Sequence, residues 1–125
     1  MKEIKDQIVL IADEPMSNGY IYSQECLENL AKQFKEKPFV PVALPSNKQD
    51  TDIAAIAGMV TKMEVVDNKL KCDCIILDST KNGLQVLQLL EDEIPYKLSI
   101  SSIVSVNDNK VVCNTIKLIR VDINI

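Results

Sequence analysis

At 125 residues the chain has the length of one ordinary domain, enough to bury a core without disulfides. Its 46% apolar and 26% charged residues exclude the disordered and fibrous classes, and no apolar run is long enough to span a bilayer. The net charge of −4 is spread over interleaved lysines and acids with no basic stripe, which removes nucleic acid from the expected partners.

The opening "MKEIKDQIVLIADEP" meets acids and Pro15 too early for a signal peptide, so a cytosolic protein is expected. Its "QIVLIADEP" predicts a short buried strand. "SNG" (17–19) predicts a turn in which Gly19 takes positive φ, and "YIY" a brief pairing. Ser23 is placed to cap a helix over "QECLENLAKQFKEK". There Cys26, Leu27, Leu30, Ala31 and Phe34 recur at helical spacing as one core-facing stripe, Glu28 faces Lys32, and Pro38 ends the helix. "FVPVAL" is extended, and Pro41 suggests a sheet edge. "PSNKQDTD" (45–52) is polar and loop-like.

"IAAIAGMVTKMEVV", the "DNK" turn at 67–69 and "LKCDCIIL" predict a hairpin, with Gly58 marking a bulge or a close backbone approach. "DSTKNGLQVLQLLEDE" predicts a second helix capped by Ser79 or Thr80, with Leu84, Leu87, Leu90 and Val86 toward the core. After Pro95, "YKLSISSIVSV", a turn at "NDNK" (107–110) and "VVCNTIKLIRVDINI" predict another hairpin. Ile116, Leu118 and the stem of Arg120 alternate imperfectly with Lys117, Ile119 and Val121, as in a strand covered on both faces. Hairpin links dominate. The order favours one α+β domain over residues 1–125, a small, mostly antiparallel sheet or barrel flanked by helices.

The chemistry-bearing residues are few. Cys26, Cys72, Cys74 and Cys113 form no C-x-x-C knuckle, and Cys72 and Cys74 share a strand face with Leu70 and Ile76. They read as reduced core thiols, so neither a metal nor another cofactor is expected. The chain contains no histidine, which removes Ser-His, Cys-His and His-metal catalysis. In "PYKLSISSIVSV", Ser99, Ser101 and Ser105 share one face of an extended strand and Ser102 the other.

In their order, these segments resemble the prohead maturation proteases of tailed phages. "SNGYIYSQECLENLAKQF" is similar to the family's N-x-NGR-x-Y opening. "PVALP" followed by "IAAIAGMVTKMEVVDNKLKCDCIIL" is similar to its His-Pro, G-x-V and hairpin segment. "DSTKNGLQVLQLLEDE" resembles its T-x-x-G helix, "YKLSISSIVSV" its G-x-S-x-R strand and "IKLIRVDINI" its closing L-x-x-x-D-x-V strand. The resemblance runs over roughly residues 7–125. It implies the herpesvirus-protease-like fold, a small β-barrel flanked by helices, and a role in building phage heads.

Carried over position by position, the family's nucleophile falls on Ser99 and its histidine on Leu44, beside Pro45. Leucine can neither accept nor hold a proton, and a serine hydroxyl without a base is scarcely ionised at neutral pH. Ser101 and Ser102 stand where many relatives place an arginine. A Ser-Lys arrangement would require Lys97, two residues from Ser99 on the same face, to be desolvated. Asp50, Asp52 and Asp122 read as turn or solvated strand-end residues rather than catalytic partners.

The leading expectation is therefore a catalytically silent head-assembly protein that binds phage capsid or assembly proteins. It would act as an oligomer, without membrane or nucleic acid, in the host cytoplasm during assembly, with retention in the virion left open. Docking is expected at a sheet edge near "FVPVAL" and at the 45–52 loop. The alternatives are an active serine protease using Ser99 with a base other than histidine, and a small binding domain unrelated to phage.

Overall fold

The computed structural model describes residues 1–46, 51–112 and 114–124. Among these described residues six strands form a single curled sheet carrying two helices: β1 (Lys2–Ile11), α1 (Gln24–Glu36), β2 (Pro41–Ala43), β3 (Ile56–Val66), β4 (Lys69–Ile76), α2 (Lys81–Glu91), β5 (Lys97–Ile103) and β6 (Lys117–Asn124). The spatial order is β1-β4-β3-β2-β6-β5. All neighbours are antiparallel except β2 and β6, which run parallel. The outermost strands β1 and β5 approach each other without a ladder between them, so the sheet closes into most of a barrel.

Local chemistry accounts for the helices. In α1 the Ser23 hydroxyl accepts from the Cys26 amide at 3.1 Å, satisfying one of the first turn's orphan donors. Cys26, Leu27, Leu30 and Phe34 are buried at helical spacing. The opposite flank ties the helix to the entry of β6. Gln33 donates to the Ile116 carbonyl (2.7 Å) and accepts from the Leu118 amide (2.9 Å), while Asn29 donates to the Asn114 carbonyl (2.6 Å). The expected ion pair on α1 is displaced by one turn: Lys32 reaches Glu36 at 3.9 Å, not Glu28. In α2, Thr80 rather than Ser79 is the cap, accepting from the Gly83 amide at 2.9 Å.

The expected core face of α2 needs correction. Val86 and Gly83 are buried and Leu87 and Leu90 half-buried, but Leu84 is 55% exposed. The cause is at Gly83, where an added Cβ would collide with the Leu77 carbonyl oxygen. The helix lies on its glycine face, which turns Leu84 outward.

The hairpin of β3 and β4 is as expected, turning at Asp67 and Asn68, although Ile53–Ala55 of the same run form a single 3-10 turn before it. The β4 pattern alternates strictly, burying Leu70, Cys72, Cys74 and Ile76. Gly58 is a close approach: it pairs with Val42 on one side and Ile76 on the other, and a Cβ there would meet the Ile75 carbonyl oxygen. Gly19 has φ +80° in its turn, as expected.

Three further expectations change. Pro41 is not on an edge, because β2 lies between β3 and β6. It is tolerated as the first residue of a strand only three residues long, where a missing N–H removes no ladder bond from the strand's middle. The anticipated docking edge near "FVPVAL" is thereby absent as an edge, although Phe39 is 74% exposed. Links are not all hairpins either, since α2 carries the chain from β4 to the far edge strand β5. Finally, β5 stops at Ile103 and its register against β6 shifts between Ser101 and Ser102, so Ser105 is not in the strand with Ser99. No helix of the described residues is long and apolar enough to cross a membrane.

Candidate functional site

Ser99 sits in the middle of the β5–β6 ladder, opposite Asp122. On its other side Asp122 is opposite Ala43 of β2. Ala43, Asp122 and Ser99 thus form one row across three strands, and Leu44 is the next residue after Ala43. The alternate positions, Leu98, Val121 and Ile123, are buried in the core. Strand periodicity therefore assigns the polar side chains of Ser99, Arg120, Asp122 and Asn124 to the other face.

The expectation for Asp122 as a solvated strand-end charge is overturned. Its side chain is 14% exposed and accepts from Arg120 Nε at 2.8 Å. Arg120 is 1% exposed, and its Nη2 donates to the Ser46 carbonyl at 2.8 Å. Burial pushes the Asp122 carboxyl above the usual carboxylate range, and the bond and charge of Arg120 oppose that only in part. An R-x-D spacing on a strand, placing opposite charges on one face, is the sequence signal that could have revealed the pair. The desolvation that makes the pair matter has no local signature.

The Ser99 hydroxyl accepts from Asn124 Nδ2 at 2.9 Å, and the same amide makes a longer bond to the Lys97 carbonyl at 3.4 Å. An Asn amide nitrogen is a donor only, so this partner cannot take the serine proton. Ser99 borders a recess of about 50 Å³ with Lys97, Val9, Leu10 and Tyr22, at the seam where β1 approaches β5. Lys97 is exposed, not desolvated. Leu44 is half-buried and borders a different recess, of about 110 Å³, together with Ser46, Asp52 and Arg120. The structure therefore sets Ser99 and Asp122 opposite each other and places Leu44 with Arg120 at a separate recess. Asp52 is exposed and flanks the 3-10 turn. Asp50, like Cys113, lies outside the described residues.

The cysteines Cys26, Cys72 and Cys74 are buried. Burial pushes the Cys72 thiol up to about 12 and the Cys74 thiol up to about 11, so neither supplies a thiolate at neutral pH. Among the described residues no group of three or more His, Cys, Asp or Glu side chains is arranged to hold a metal ion.

The curled, mostly antiparallel sheet with its two helices is a fold of the prohead-protease-like kind. One solved structure with this likeness is that of the bacteriophage T4 capsid assembly protease, gp21. It superposes with a TM-score of 0.84 over 98% of this chain and 90% of that one, at 15% sequence identity. No family model matches the sequence, and no curated protein matches it. The likeness is one of fold, and it upholds the resemblance read from the order of the motifs.

Proposed function

We propose that this chain is a non-catalytic phage head-assembly protein, a prohead-protease-like domain of residues 1–125 that has kept the fold and lost the chemistry. The observation that carries the reading is the environment of Ser99. A hydroxyl and a carboxylate are cross-strand neighbours, but the imidazole that would take the serine proton, oriented by a carboxylate, has no counterpart in the chain. Asp122 is instead held by Arg120, and Ser99 is held by an amide that cannot act as a base. Leu44, at the position that the resemblance gives to the histidine, supports the same reading. The T4 neighbour is a capsid assembly protease, and its fold supports capsid or head-assembly proteins as the partners here.

A second reading keeps Ser99 as a nucleophile with Lys97 as its base, favoured by the one observation that both border the same recess. The exposure of Lys97 weighs against it, because a Ser-Lys base has to be withdrawn from water. Co-expression with the capsid and scaffolding proteins encoded in the same genome distinguishes the readings. The proposal expects co-purification with one of them, with all proteins at full length and no difference for Ser99→Ala. Cleavage that disappears in Ser99→Ala would establish the protease instead. Absence of both binding and cleavage would indicate a domain with another role.

A further inference from the structure

Two of the chain's three glycines follow an asparagine, at Asn18-Gly19 and Asn82-Gly83. In such a pair the backbone nitrogen of the glycine can attack the side-chain carbonyl carbon of the asparagine, because no Cβ hinders the ring that forms. The fold holds the two pairs differently. Asn18 and Gly19 are both exposed, in the turn that links Pro15 to its bridge partner Ile21. The Tyr20 amide donates to Asn18 Oδ1 at 3.0 Å. That bond arches the side chain over the Gly19 peptide and draws electron density from the carbonyl carbon to be attacked. Asn18 Nδ2, the nitrogen that departs, donates to the Tyr22 hydroxyl at 3.2 Å. The opposing restraint is the bond from the Gly19 amide to the Met16 carbonyl at 2.8 Å, and an exposed turn opens at little cost.

Asn82 and Gly83 lie instead in the first turn of α2. A helical side chain leans toward the N-terminus of its helix, which directs the Asn82 carbonyl carbon away from the Gly83 nitrogen. Both groups are also tied down. Asn82 Nδ2 donates to the Ala55 carbonyl at 3.1 Å, and the Gly83 amide donates to Thr80 Oγ1 at 2.9 Å. Gly83 is buried against the Leu77 carbonyl oxygen, so this pair cannot reorient without lifting the start of α2 away from Leu77.

We propose that Asn18 is a site of spontaneous deamidation, and that its product sets a carboxylate at the recess bordered by Ser99. The Gly19 nitrogen bonds to Asn18 Cγ, the Cγ–Nδ2 bond breaks, and the Gly19 amide proton leaves with the side-chain nitrogen as ammonia. Water then opens the resulting succinimide at one of its two carbonyls, giving aspartate or isoaspartate, and no other reactant is needed. Either product adds one negative charge and removes the amide that donates to Tyr22. Asn18 lines the same recess as Lys97 and Ser99, so the new carboxylate shares it with an ammonium group where β1 approaches β5. Isoaspartate also lengthens the main chain by one atom, inside a turn closed by the bonds from Gly19 to Met16 and from Met16 to Tyr20. The reaction does not depend on whether Ser99 is reactive.

Peptide mapping of the full-length folded protein after incubation at neutral and at mildly alkaline pH tests this, beside Asn18→Gln and beside wild type in concentrated urea. The expected result is a gain of one dalton, with isoaspartate present, on the peptide carrying Asn18. Conversion should be faster at the higher pH, because the attacking nitrogen must shed its proton. Asn82 should convert at least roughly tenfold more slowly than Asn18 in the folded protein, and at a similar rate in urea, where neither the turn nor the helix persists. Asn18→Gln, whose longer side chain closes a less favourable ring, should stay unmodified at that position with an unchanged circular dichroism spectrum. No conversion at Asn18, conversion of Asn82 as fast as Asn18 in the folded protein, or a difference in rate that survives urea would each overturn the proposal.

Discussion

Arg120 and Asp122 are the pair on which the candidate site is built. Both side chains are withdrawn from water, and Arg120 also anchors the Ser46 carbonyl. Removing one partner leaves a buried charge without its counterion, at about 3 kcal/mol or more. Arg120→Met and Asp122→Leu should each lower stability by that amount in chemical denaturation, whereas the double variant should cost clearly less than the sum. Additive losses would show that the two side chains do not act as a unit. The raised Asp122 carboxyl has a definite sign. Its contribution to stability is fully present in acid and is lost as pH rises through its elevated value. The buried thiols act likewise at the alkaline end. Unfolded, they lose their protons near 9, but in the fold only near about 12 and about 11. Over that window the fold binds more protons than the unfolded chain, so stability should fall as pH rises, by up to about 1.4 kcal/mol per thiol per pH unit. Urea midpoints at pH 8 and above pH 10 measure this, and an unchanged midpoint would contradict it.

The elements differ in how much the sequence disclosed of them. Both helices were readable because their signals are local: the caps at Ser23 and Thr80, the stripe ending at Phe34 and the stop at Pro38 lie within a few residues of what they control. The face of α2 was misread because it depends on a collision with Leu77, outside the helix. Val86→Ala should therefore cost about 2 kcal/mol, while Leu84→Ala in dilute solution should change stability by less than about 0.5 kcal/mol. Equal losses at the two positions would refute the observed orientation. Pro41 was misread for a related reason. Proline excludes the middle of a long central strand, but β2 is so short that its first residue can be proline in the interior of a sheet. The parallel pairing of β2 with β6 joins residues nearly eighty positions apart, and neither segment carries a mark of the other.

At the scale of the molecule, the order of the motifs conveyed the fold better than any one of them did, and the T4 protease structure agrees over nearly the whole chain at 15% identity. Such agreement with so little shared sequence is expected when burial pattern and turn positions, rather than particular side chains, specify a core. The row through Ser99 was half legible. Ser99 and the lack of histidine can be read directly, but the capture of Asp122 by Arg120 and of Ser99 by Asn124 follows only from strands being brought side by side. The central claim is that Ser99 is an ordinary hydroxyl, and a fluorophosphonate that phosphonylates activated serines tests it most directly. Intact mass after incubation should be unchanged and identical for wild type and Ser99→Ala. A single phosphonyl adduct on wild type, absent from Ser99→Ala, would show an activated nucleophile and contradict the account.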